Sequence, residues 1–293
     1  MRVAVTGGSG RIGAAVISEL LSRGHHVVNL DRRTPDAPQP GVQFVFADVG
    51  RREIVQPVLA ECDAVCHLGE IPNAHVGLSP EEVFAQNTRA GSVVLQTAAD
   101  LRLKRVVSTS TCQVYGAWDR PRTAPLRLPM DETHPVQPQN VYALGKVANE
   151  LYAKMVAEQH GLSVAVFRLP WVIPIDWKYD ETWVTRLREP PTQTDGFATY
   201  VHTADVAAAY ALALEHPRPG CEIYHFSAAE VLSLYPLPAR LRSHYPDYPP
   251  LPADWPPFKS PVITAKAQQH FGWTPRFNFL DLYRQHHGEP DLG

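Results

Sequence analysis

A glycine-rich loop between a strand pattern and a helix pattern constrains this chain more than any other feature. The run Arg2–Thr6 is apolar and β-branched, and Arg11–Arg23 repeats apolar residues at three- and four-residue intervals. The loop glycines fit two spacings, G-x-G-x-x-G at Gly8, Gly10 and Gly13 and G-x-x-G-x-x-G at Gly7, Gly10 and Gly13. Glycine permits a tight turn and close backbone approach, and the helix that follows offers N–H groups to a pyrophosphate. In this strand–turn–helix context the loop predicts a dinucleotide-binding site.

The chain continues as an alternation of short buried strands and longer helices. This order implies parallel pairing with right-handed crossovers, and therefore an α/β fold with a Rossmann-type, doubly wound parallel sheet. Strands are predicted at Arg2–Thr6, His26–Leu30, Gln43–Phe46, Ala64–Leu68, Arg105–Ser108, Ser163–Leu169 and Glu222–Phe226. Helices are predicted at Arg11–Arg23, Pro80–Asp100, Tyr142–His160 and Thr203–Glu215.

Two proline-dense stretches mark the parts of the chain that leave this sheet. Residues 118–139 and 235–261 are rich in proline, which lacks the backbone donor that a central strand needs. We therefore expect a dinucleotide-binding domain over residues 1–170, with an insertion at 118–139. Residues 171–293 are expected to form mainly a small, irregular substrate-binding cap, with elements at 200–226 returning to the sheet. The second stretch is expected to contain loops and short helix.

Composition excludes several other classes of protein. The formal net charge is -3, so the chain has no basic field for a nucleic-acid backbone. No apolar run approaches the ~18 residues needed to cross a bilayer, and the first residues lack a signal-peptide pattern. The four cysteines form no CxxC pair, and the thirteen histidines show no HExxH spacing. We expect a cytoplasmic protein with reduced thiols, no metal, and neither a membrane nor a nucleic-acid partner.

The end of the second predicted strand bears on the choice between NAD and NADP. Asp31 follows the glycine loop by about twenty residues, the distance at which a carboxylate accepts hydrogen bonds from the adenosine ribose hydroxyls. That position favours NAD. The neighbouring Arg32 and Arg33 are of the residue type that pairs with the 2′-phosphate of NADP. We expect NAD as the cofactor, with NADP as the open alternative.

A tyrosine and a lysine lie four residues apart, at Tyr142 and Lys146 in Tyr-Ala-Leu-Gly-Lys. On a helix this spacing places both side chains on one face. A tyrosine hydroxyl has a pKa of about 10, and a nearby ammonium favours the phenolate and so makes the tyrosine a better base. The earlier segment Ser108–Gly116 supplies hydroxyl groups at a strand end, where one of them can hold a substrate oxygen. Together these groups predict hydride-transfer chemistry.

These motifs resemble those of the extended short-chain dehydrogenases/reductases, in the NAD-dependent epimerase/dehydratase family. The resemblance covers nearly the whole chain, through Thr6–Gly13, Asp31, Ala47-Asp48-Val49, His67-Leu68-Gly69, Asn87, Ser108–Gly116, Tyr142–Lys146, Arg168-Leu-Pro170, Tyr200-Val-His202 and Phe271-Gly-Trp-Thr-Pro275. It implies a small-molecule substrate and a homodimer that pairs through helices 80–100 and 142–160.

The resemblance also implies roles for individual residues. Thr111 is expected to be the catalytic hydroxyl, in preference to Ser110. Tyr142 is expected to be the acid/base, and Lys146 to bind the nicotinamide ribose while tuning Tyr142. Asp48 is expected to contact the adenine amino group with Val49 beside the ring, and Asn87 to open the helix that supports the active-site strand. The implied cofactor-binding residues are Gly7, Gly10, Arg11, Ile12, Gly13, Asp31, Arg32, Asp48, Val49, Leu68, Gly69, Asn87, Tyr142, Lys146, Pro170 and Val172.

Several departures from the family pattern bear on the substrate. Cys112 and Gln113 occupy the positions where dehydratases of the family carry an acidic pair, so dehydration is not expected. Trp171 stands where sugar-nucleotide epimerases usually have asparagine, and Ala198 stands where they have the arginine that pairs with a pyrophosphate. Other arginines that can replace this contact are Arg186, Arg188 and Arg240. The departures favour a smaller substrate, such as a free sugar, a sugar acid or a lactol.

Glu70 is a further departure, because the family usually has a small residue beside the cofactor path. A carboxylate there is unfavourable near a pyrophosphate unless it points to a ribose or substrate hydroxyl, and that orientation is one of the alternatives that the sequence leaves open. The candidate substrate-binding residues are Glu70, Thr111, Cys112, Gln113 and Trp171.

Three functions are consistent with the sequence. The first is an NAD-dependent dehydrogenase or reductase that acts on a hydroxyl or carbonyl of a small sugar-like compound. The second is a sugar-nucleotide epimerase similar to UDP-glucose 4-epimerase, which the residues at 171 and 198 disfavour. The third is a non-catalytic NAD(P)-binding sensor, which the presence of both Tyr142 and Lys146 disfavours.

Overall fold

The computed structural model describes residues 1–37, 39–72, 77–118, 123–173 and 197–288. Its centre is a seven-stranded parallel sheet with the strand order β3-β2-β1-β4-β5-β6-β9. The strands are β1 (Arg2–Thr6), β2 (His26–Asp31), β3 (Val42–Phe46), β4 (Ala64–His67), β5 (Arg105–Thr111), β6 (Ser163–Leu169) and β9 (Cys221–His225). Two three-residue strands, β7 (Trp171–Ile173) and β8 (Tyr200–His202), pair separately. The expected doubly wound parallel sheet is confirmed.

Helices cover both faces of this sheet. They are α1 (Arg11–Ser22), α2 (Arg52–Leu59), α3 (Pro80–Asp100), α4 (Val141–His160), α5 (Thr203–Glu215), α6 (Leu237–His244), α7 (Ala265–Phe271) and α8 (Phe279–His287). Buried apolar side chains from α1, α5 and α7 form the core on one face, and those from α2, α3 and α4 form it on the other. Both faces are thus shielded from water, as a parallel sheet of continuous apolar strands requires.

The strand register brings the carboxyl ends of the central strands to one edge. Thr6 at the end of β1 lies opposite His67 on β4, and Thr111 at the end of β5 lies opposite Leu169 on β6. The strand order reverses between β1 and β4, and open α/β sheets bind ligands outside the carboxyl ends at such a reversal. The fold therefore places a binding cleft between the loops that follow β1, β4, β5 and β6.

A third apolar cluster lies beyond this edge, and segments distant in sequence build it. Leu128 and Met130 from the proline-rich insertion pack with Tyr200 from β8 and with side chains from α6 and α8. The Met130 N–H donates to the Pro261 carbonyl (2.8 Å), and the Ile263 N–H donates to the Met130 carbonyl (2.8 Å). We call this assembly the cap. In addition, no helix among the described residues has both the length and the apolar character to cross a membrane.

Candidate active site

A cleft of about 1290 Å³ opens at the carboxyl edge of the sheet, where the fold predicts it. Its walls contain every candidate cofactor and substrate residue from the sequence except Asp48. Those residues come from the glycine loop and the start of α1, from the ends of strands β2 to β6 and the turns that follow them, and from β7, α3 and α4. They are Gly7, Gly10, Arg11, Ile12, Gly13, Asp31, Arg32, Val49, Leu68, Gly69, Glu70, Asn87, Thr111, Cys112, Gln113, Tyr142, Lys146, Pro170, Trp171 and Val172, joined by Arg33.

The glycine loop has the shape that a dinucleotide phosphate requires. Gly7 has φ +69°, and a Cβ there would lie 2.8 Å from backbone atoms of Leu68 and Gly69. A Cβ on Gly13 would lie 2.2 Å from the Gly7 carbonyl oxygen. Helix α1 then begins without a side-chain cap, so the N–H groups of its first turn are left for a ligand in the cleft. The loop therefore fits a pyrophosphate held by backbone N–H groups and the positive end of the helix dipole.

Asp31 lies at the end of β2 with its carboxylate already fixed. Its Oδ2 accepts the Ser9 N–H (2.9 Å) from the glycine loop, and its Oδ1 accepts the Arg33 N–H (2.9 Å). The carboxylate therefore keeps a defined orientation at the cleft wall, with lone pairs available for ribose hydroxyls. This geometry suits the ribose contact expected from the sequence.

Asp48 does not line the cleft, and its carboxylate contacts Arg32 and the Gly50 N–H. Its Oδ1 lies 2.5 Å from Nη2 of Arg32 and accepts the Gly50 N–H at 3.0 Å. Partial burial works against ionisation, but the hydrogen bonds from Arg32 and from the Gly50 N–H hold the pKa of Asp48 below its usual range. Asp48 and Arg32 thus form an ion pair at this end of the cleft. The sequence did not predict this pairing.

The expected position of Asn87 at the start of a helix is wrong. Helix α3 begins at Pro80 behind the Ser79 cap, where Ser79 and Glu82 form a reciprocal capping box, and Asn87 lies two turns further on. The Asn87 side chain instead clamps the chain after β4. Its Oδ1 accepts the Ile71 N–H (2.7 Å), and its Nδ2 donates to the Ile71 carbonyl (3.1 Å). Asn87 therefore shapes the cleft wall by fixing the loop that carries Glu70.

Thr111, Tyr142 and Lys146 meet at the centre of the cleft. Thr111 closes β5, while Tyr142 and Lys146 lie in the first turns of α4, which the Asn140 side chain caps by accepting the Ala143 N–H (2.8 Å). The Thr111 side chain lies beside Tyr142, where it favours the ionised phenol. The Lys146 ammonium lies 5.6 Å from the centre of the Tyr142 ring. Burial raises the pKa of Tyr142, and the charge on Lys146 opposes this effect.

The structure also separates Thr111 from the neighbouring hydroxyl. The Ser110 hydroxyl already has a buried partner, because it donates to Glu150 Oε1 at 2.5 Å. The Thr111 side chain lies beside Tyr142, and both residues line the cleft. This arrangement agrees with the choice of Thr111 over Ser110.

Glu70 is buried against Lys146, which differs from the ribose or substrate contact that the sequence left open as an alternative. Its side chain is only 2% exposed, and its Oε2 lies 2.5 Å from Lys146 Nζ. Its Oε1 lies 3.1 Å from His67 Nε2 and accepts Asn149 Nδ2 at 3.0 Å. Burial alone would raise the pKa of this carboxyl, but Lys146 and His67 lower it to about 2. The carboxylate is therefore part of the immediate surroundings of Lys146.

The outer part of the cleft is lined by aromatic and small polar groups. Trp171 is 45% exposed at this wall. Gln113 Oε1 accepts Asn140 Nδ2 (3.1 Å), and the Cys112 thiol contacts the Arg168 carbonyl (3.5 Å), with burial raising its pKa. Sequence reasoning did not select two further lining residues, Trp118 and Thr199, which bond to each other through Nε1 and Oγ1 at 2.7 Å. Only the position of Trp118, just after Ser108–Gly116, could have indicated it.

Of the three arginines considered as pyrophosphate partners, Arg240 belongs to the described part of the chain and does not line the cleft. Arg240 is buried on α6 within the cap and is 3% exposed. Arg186 and Arg188 fall outside the described residues. Ala198 is buried and has φ +49°, and its carbonyl accepts the Leu232 N–H at 2.7 Å. Position 198 therefore serves the internal structure of the cap.

Comparison with known proteins agrees with this geometry. The model of the NAD-dependent epimerase/dehydratase family matches residues 3–187, more than half of the chain. The chain belongs to this family. The sequence-based expectation of an NAD-dependent enzyme related to the extended short-chain dehydrogenases/reductases is thereby confirmed.

Individual relatives span almost the whole chain. A dTDP-glucose 4,6-dehydratase from Streptomyces niveus is 28% identical over 322 residues, covering 96% of this chain and 90% of the relative. The crystal structure of UDP-glucose 4-epimerase from Thermus thermophilus in complex with NAD has 26% identity and a TM-score of 0.69, covering 95% of each chain. A mutated uronate dehydrogenase has a TM-score of 0.69 at 21% identity, covers 99% of this chain and 88% of its own, and shows the shared fold.

Proposed function

We propose that this protein is an NAD-dependent oxidoreductase that acts on a hydroxyl or carbonyl group of a small sugar-like substrate, such as a free sugar or sugar acid. The observation that carries the proposal is the meeting of Thr111, Tyr142 and Lys146 in one cleft with the glycine loop. In such a site a hydroxyl, a phenol and an ammonium can jointly hold a substrate oxygen and move its proton.

The residues present fit NAD. The backbone of Gly7 to Gly13 forms the phosphate cradle, Asp31 offers its carboxylate to ribose hydroxyls, and Lys146 reaches the cleft centre. When bound, NAD supplies the acceptor or donor of a hydride ion. Arg33 lies beside Asp31 at the same wall, so NADP stays the alternative cofactor.

The proton chemistry belongs to Tyr142. In the oxidising direction the Tyr142 phenolate removes the hydroxyl proton of the substrate, while Thr111 orients that oxygen. Burial raises the pKa of Tyr142 despite Lys146, so the phenol keeps its proton at neutral pH. We therefore expect the oxidation rate to rise toward alkaline pH as the phenol ionises. The reduction rate should fall over the same range, because the phenol is then the proton donor.

The substrate size follows from two positions. Trp171 presents an indole at the wall where sugar-nucleotide epimerases usually place an asparagine, and Ala198 is buried where they place an arginine. Neither residue can supply the charge-assisted hydrogen bonds that a pyrophosphate linker needs. An indole face instead suits the apolar face of a sugar ring. These positions support a substrate without a nucleotide.

The alternative function is epimerisation of a sugar nucleotide. The observation that favours it is the 26% identity to a UDP-glucose 4-epimerase over 95% of both chains. The two functions differ in their net product. An oxidoreductase changes the redox state of NAD once per turnover, whereas an epimerase restores it.

The test is NADH absorbance with purified protein, excess NAD, and a panel of free sugars, sugar acids and sugar nucleotides. We expect net NADH from a compound without a nucleotide, and Tyr142→Phe should lower that turnover by at least about 10²-fold, the scale of a lost general acid–base group. NAD affinity of the variant should change little. Conversion of a sugar nucleotide to its epimer without net NADH would replace the proposal by the alternative.

We also propose that the protein is a cytoplasmic homodimer that pairs through helices 80–100 and 142–160. Support comes from the outer face of α4, where Leu144, Leu151 and Met155 are 46%, 65% and 38% exposed at near-helical spacing. Three such side chains on one face suit burial against a second copy of the chain. Analytical ultracentrifugation should show a dimer, and Leu151→Arg should shift it to monomer.

A further inference from the structure

The carboxylate of Glu70 is buried directly beside the catalytic lysine. Glu70 and Lys146 have side chains that are 2% and 4% exposed, and Oε2 lies 2.5 Å from Nζ. His67 and Asn149 hold the other carboxylate oxygen at 3.1 and 3.0 Å. A buried charge is stable only when it is paired and hydrogen-bonded, and Glu70 meets both conditions. The Glu70 carboxylate is therefore held in a defined place next to Lys146.

The protein itself directs two of the three N–H bonds of the Lys146 ammonium. One donates to the Thr109 carbonyl at 2.8 Å, and a second points to Glu70. The Thr109 contact comes from β5, and the Glu70 contact comes from the loop after β4, so two neighbouring strands fix the ammonium. The remaining N–H is left for the cleft, which Lys146 lines beside Tyr142.

We propose that Glu70 is a positioning residue: its ion pair with Lys146 fixes the ammonium next to Tyr142 and offsets part of the positive field that the ammonium exerts on the phenol. The proposal rests on the proposed role of Tyr142 as the acid/base. It assigns Glu70 a place beside the lysine rather than against the substrate. Its consequence is that Tyr142 keeps its proton to higher pH than it would beside an unpaired lysine.

The pKa of Tyr142 depends on burial and on the charged and titratable groups around Glu70 and Lys146. Burial raises the pKa of Tyr142 most, Lys146 opposes this, and Glu70 adds to it. Glu70 itself stays ionised, because Lys146 and His67 lower its pKa to about 2 against the effect of burial. The groups that face the pair are His67 from β4, Tyr142 and Glu150 from α4, and Tyr210 from α5. Glu70 differs from these groups because its carboxylate contacts the Lys146 ammonium directly.

The experiment is a spectroscopic pH titration of the protein alone. Tyrosinate absorbance is recorded for the parent protein and for Tyr142→Phe, and their difference isolates Tyr142 from the other tyrosines. The same difference is then measured between Glu70→Gln and Glu70→Gln/Tyr142→Phe. We expect Glu70→Gln to lower the titration midpoint by about one pH unit, the lower end of what a unit charge at this range produces. Glu70→Asp keeps the charge and should stay near the parent midpoint.

An unchanged midpoint in Glu70→Gln would overturn the proposal, as would equal shifts in Glu70→Gln and Glu70→Asp. If Glu70→Gln does not fold because it leaves Lys146 unpaired, the comparison moves to Lys146→Gln and Glu70→Gln/Lys146→Gln. That double variant has no unpaired charge in the pair, and its midpoint must lie below that of Lys146→Gln. The titration needs neither cofactor nor substrate. Its failure therefore leaves the proposed activity standing, and failure of the sugar panel leaves the titration valid.

Discussion

The ion pair between Arg168 and Glu150 is buried, and breaking it should cost a large part of the protein's stability. Arg168 Nε donates to Glu150 Oε1 (3.0 Å) and Nη2 donates to Oε2 (2.6 Å), and the two side chains are 4% and 7% exposed. On its other side the guanidinium donates to two neutral groups, the Tyr115 hydroxyl at 2.7 Å and the Glu132 carbonyl at 3.4 Å. Glu150 is thus its directly bonded counter-ion, and the pair joins β6 to α4.

Glu150→Gln would leave the Arg168 charge buried without that counter-ion. Breaking a buried pair by removing one partner costs about 3–5 kcal/mol, whereas native proteins have free energies of unfolding of about 5–15 kcal/mol. We therefore expect the variant to lose roughly a fifth of its stability at the least. Replacement of both members by apolar residues, as in Glu150→Leu/Arg168→Met, should cost less than the single change, because no buried charge is then left.

The assay is urea-induced unfolding followed by circular dichroism at neutral pH. The matched control is Glu158→Gln on the same helix, since Glu158 and Lys154 are 64% and 67% exposed and 4.0 Å apart. That exposed pair should contribute less than about 1 kcal/mol. A loss below about 1 kcal/mol in Glu150→Gln, or a loss equal to that of the control, would refute the reasoning.

Three further predictions concern the cofactor loop and acid stability. Gly13→Ala should weaken NAD binding more than about tenfold in a calorimetric titration, because the new Cβ would lie 2.2 Å from the Gly7 carbonyl oxygen. Gly145→Ala is the control: the nearest contact of its new Cβ is 3.7 Å away, so this variant should bind NAD normally. Asp31→Ala should weaken NAD binding and shift preference toward NADP, since it removes the carboxylate at the end of β2; unchanged discrimination between the two cofactors would refute its ribose role. Burial lowers the pKa of His225 from 6.5 to about 3, and the charge on Arg168 adds to this effect. Below about pH 6.5 the His225 side chain therefore binds a proton in the unfolded chain but stays neutral in the native state. Stability should fall by about 2 kcal/mol between neutral pH and about pH 5 from this group alone, and urea unfolding of His225→Asn should show a correspondingly smaller fall.

Most of the sheet could be predicted from the sequence because its strands are continuous apolar runs separated by helical periodicity. The observed β6, α3 and α5 have the predicted boundaries. Helix α2 was not predicted, and it contains Pro57, a residue that usually ends a helix. Strands β7 and β8 have three residues each, too few to show a period. Strand β5 extends to Thr111 instead of ending at Ser108, because its polar hydroxyls pair with neighbouring elements.

The parts of the candidate site that lie within one short motif could be predicted, because the motif sets both the local backbone conformation and the reactive side chains. The glycine loop and the pair Tyr142 and Lys146 are such motifs. Pairings between side chains from distant segments could not be predicted. Glu70 stood out in the sequence as an acidic residue beside the cofactor path, but only the packing of α4 against β4 and β5 shows that its partner is Lys146. Asp48 and Arg32 likewise pair through the geometry of adjacent loops, which no residue pattern encodes.

The hydrogen bonds of Met130 to Pro261 and Ile263 have a consequence for the order in which the protein can form during synthesis. Tyr142 and Lys146 emerge from the ribosome long before the residues that complete the cap. A nascent chain that has passed β6 can pair six strands of the sheet, yet its proline-rich insertion still lacks the partners that anchor it. We expect this intermediate to expose the apolar side of the insertion, at Leu128 and Met130, until the last part of the chain is made. The interval between these two stages is when the nascent protein is most prone to aggregate.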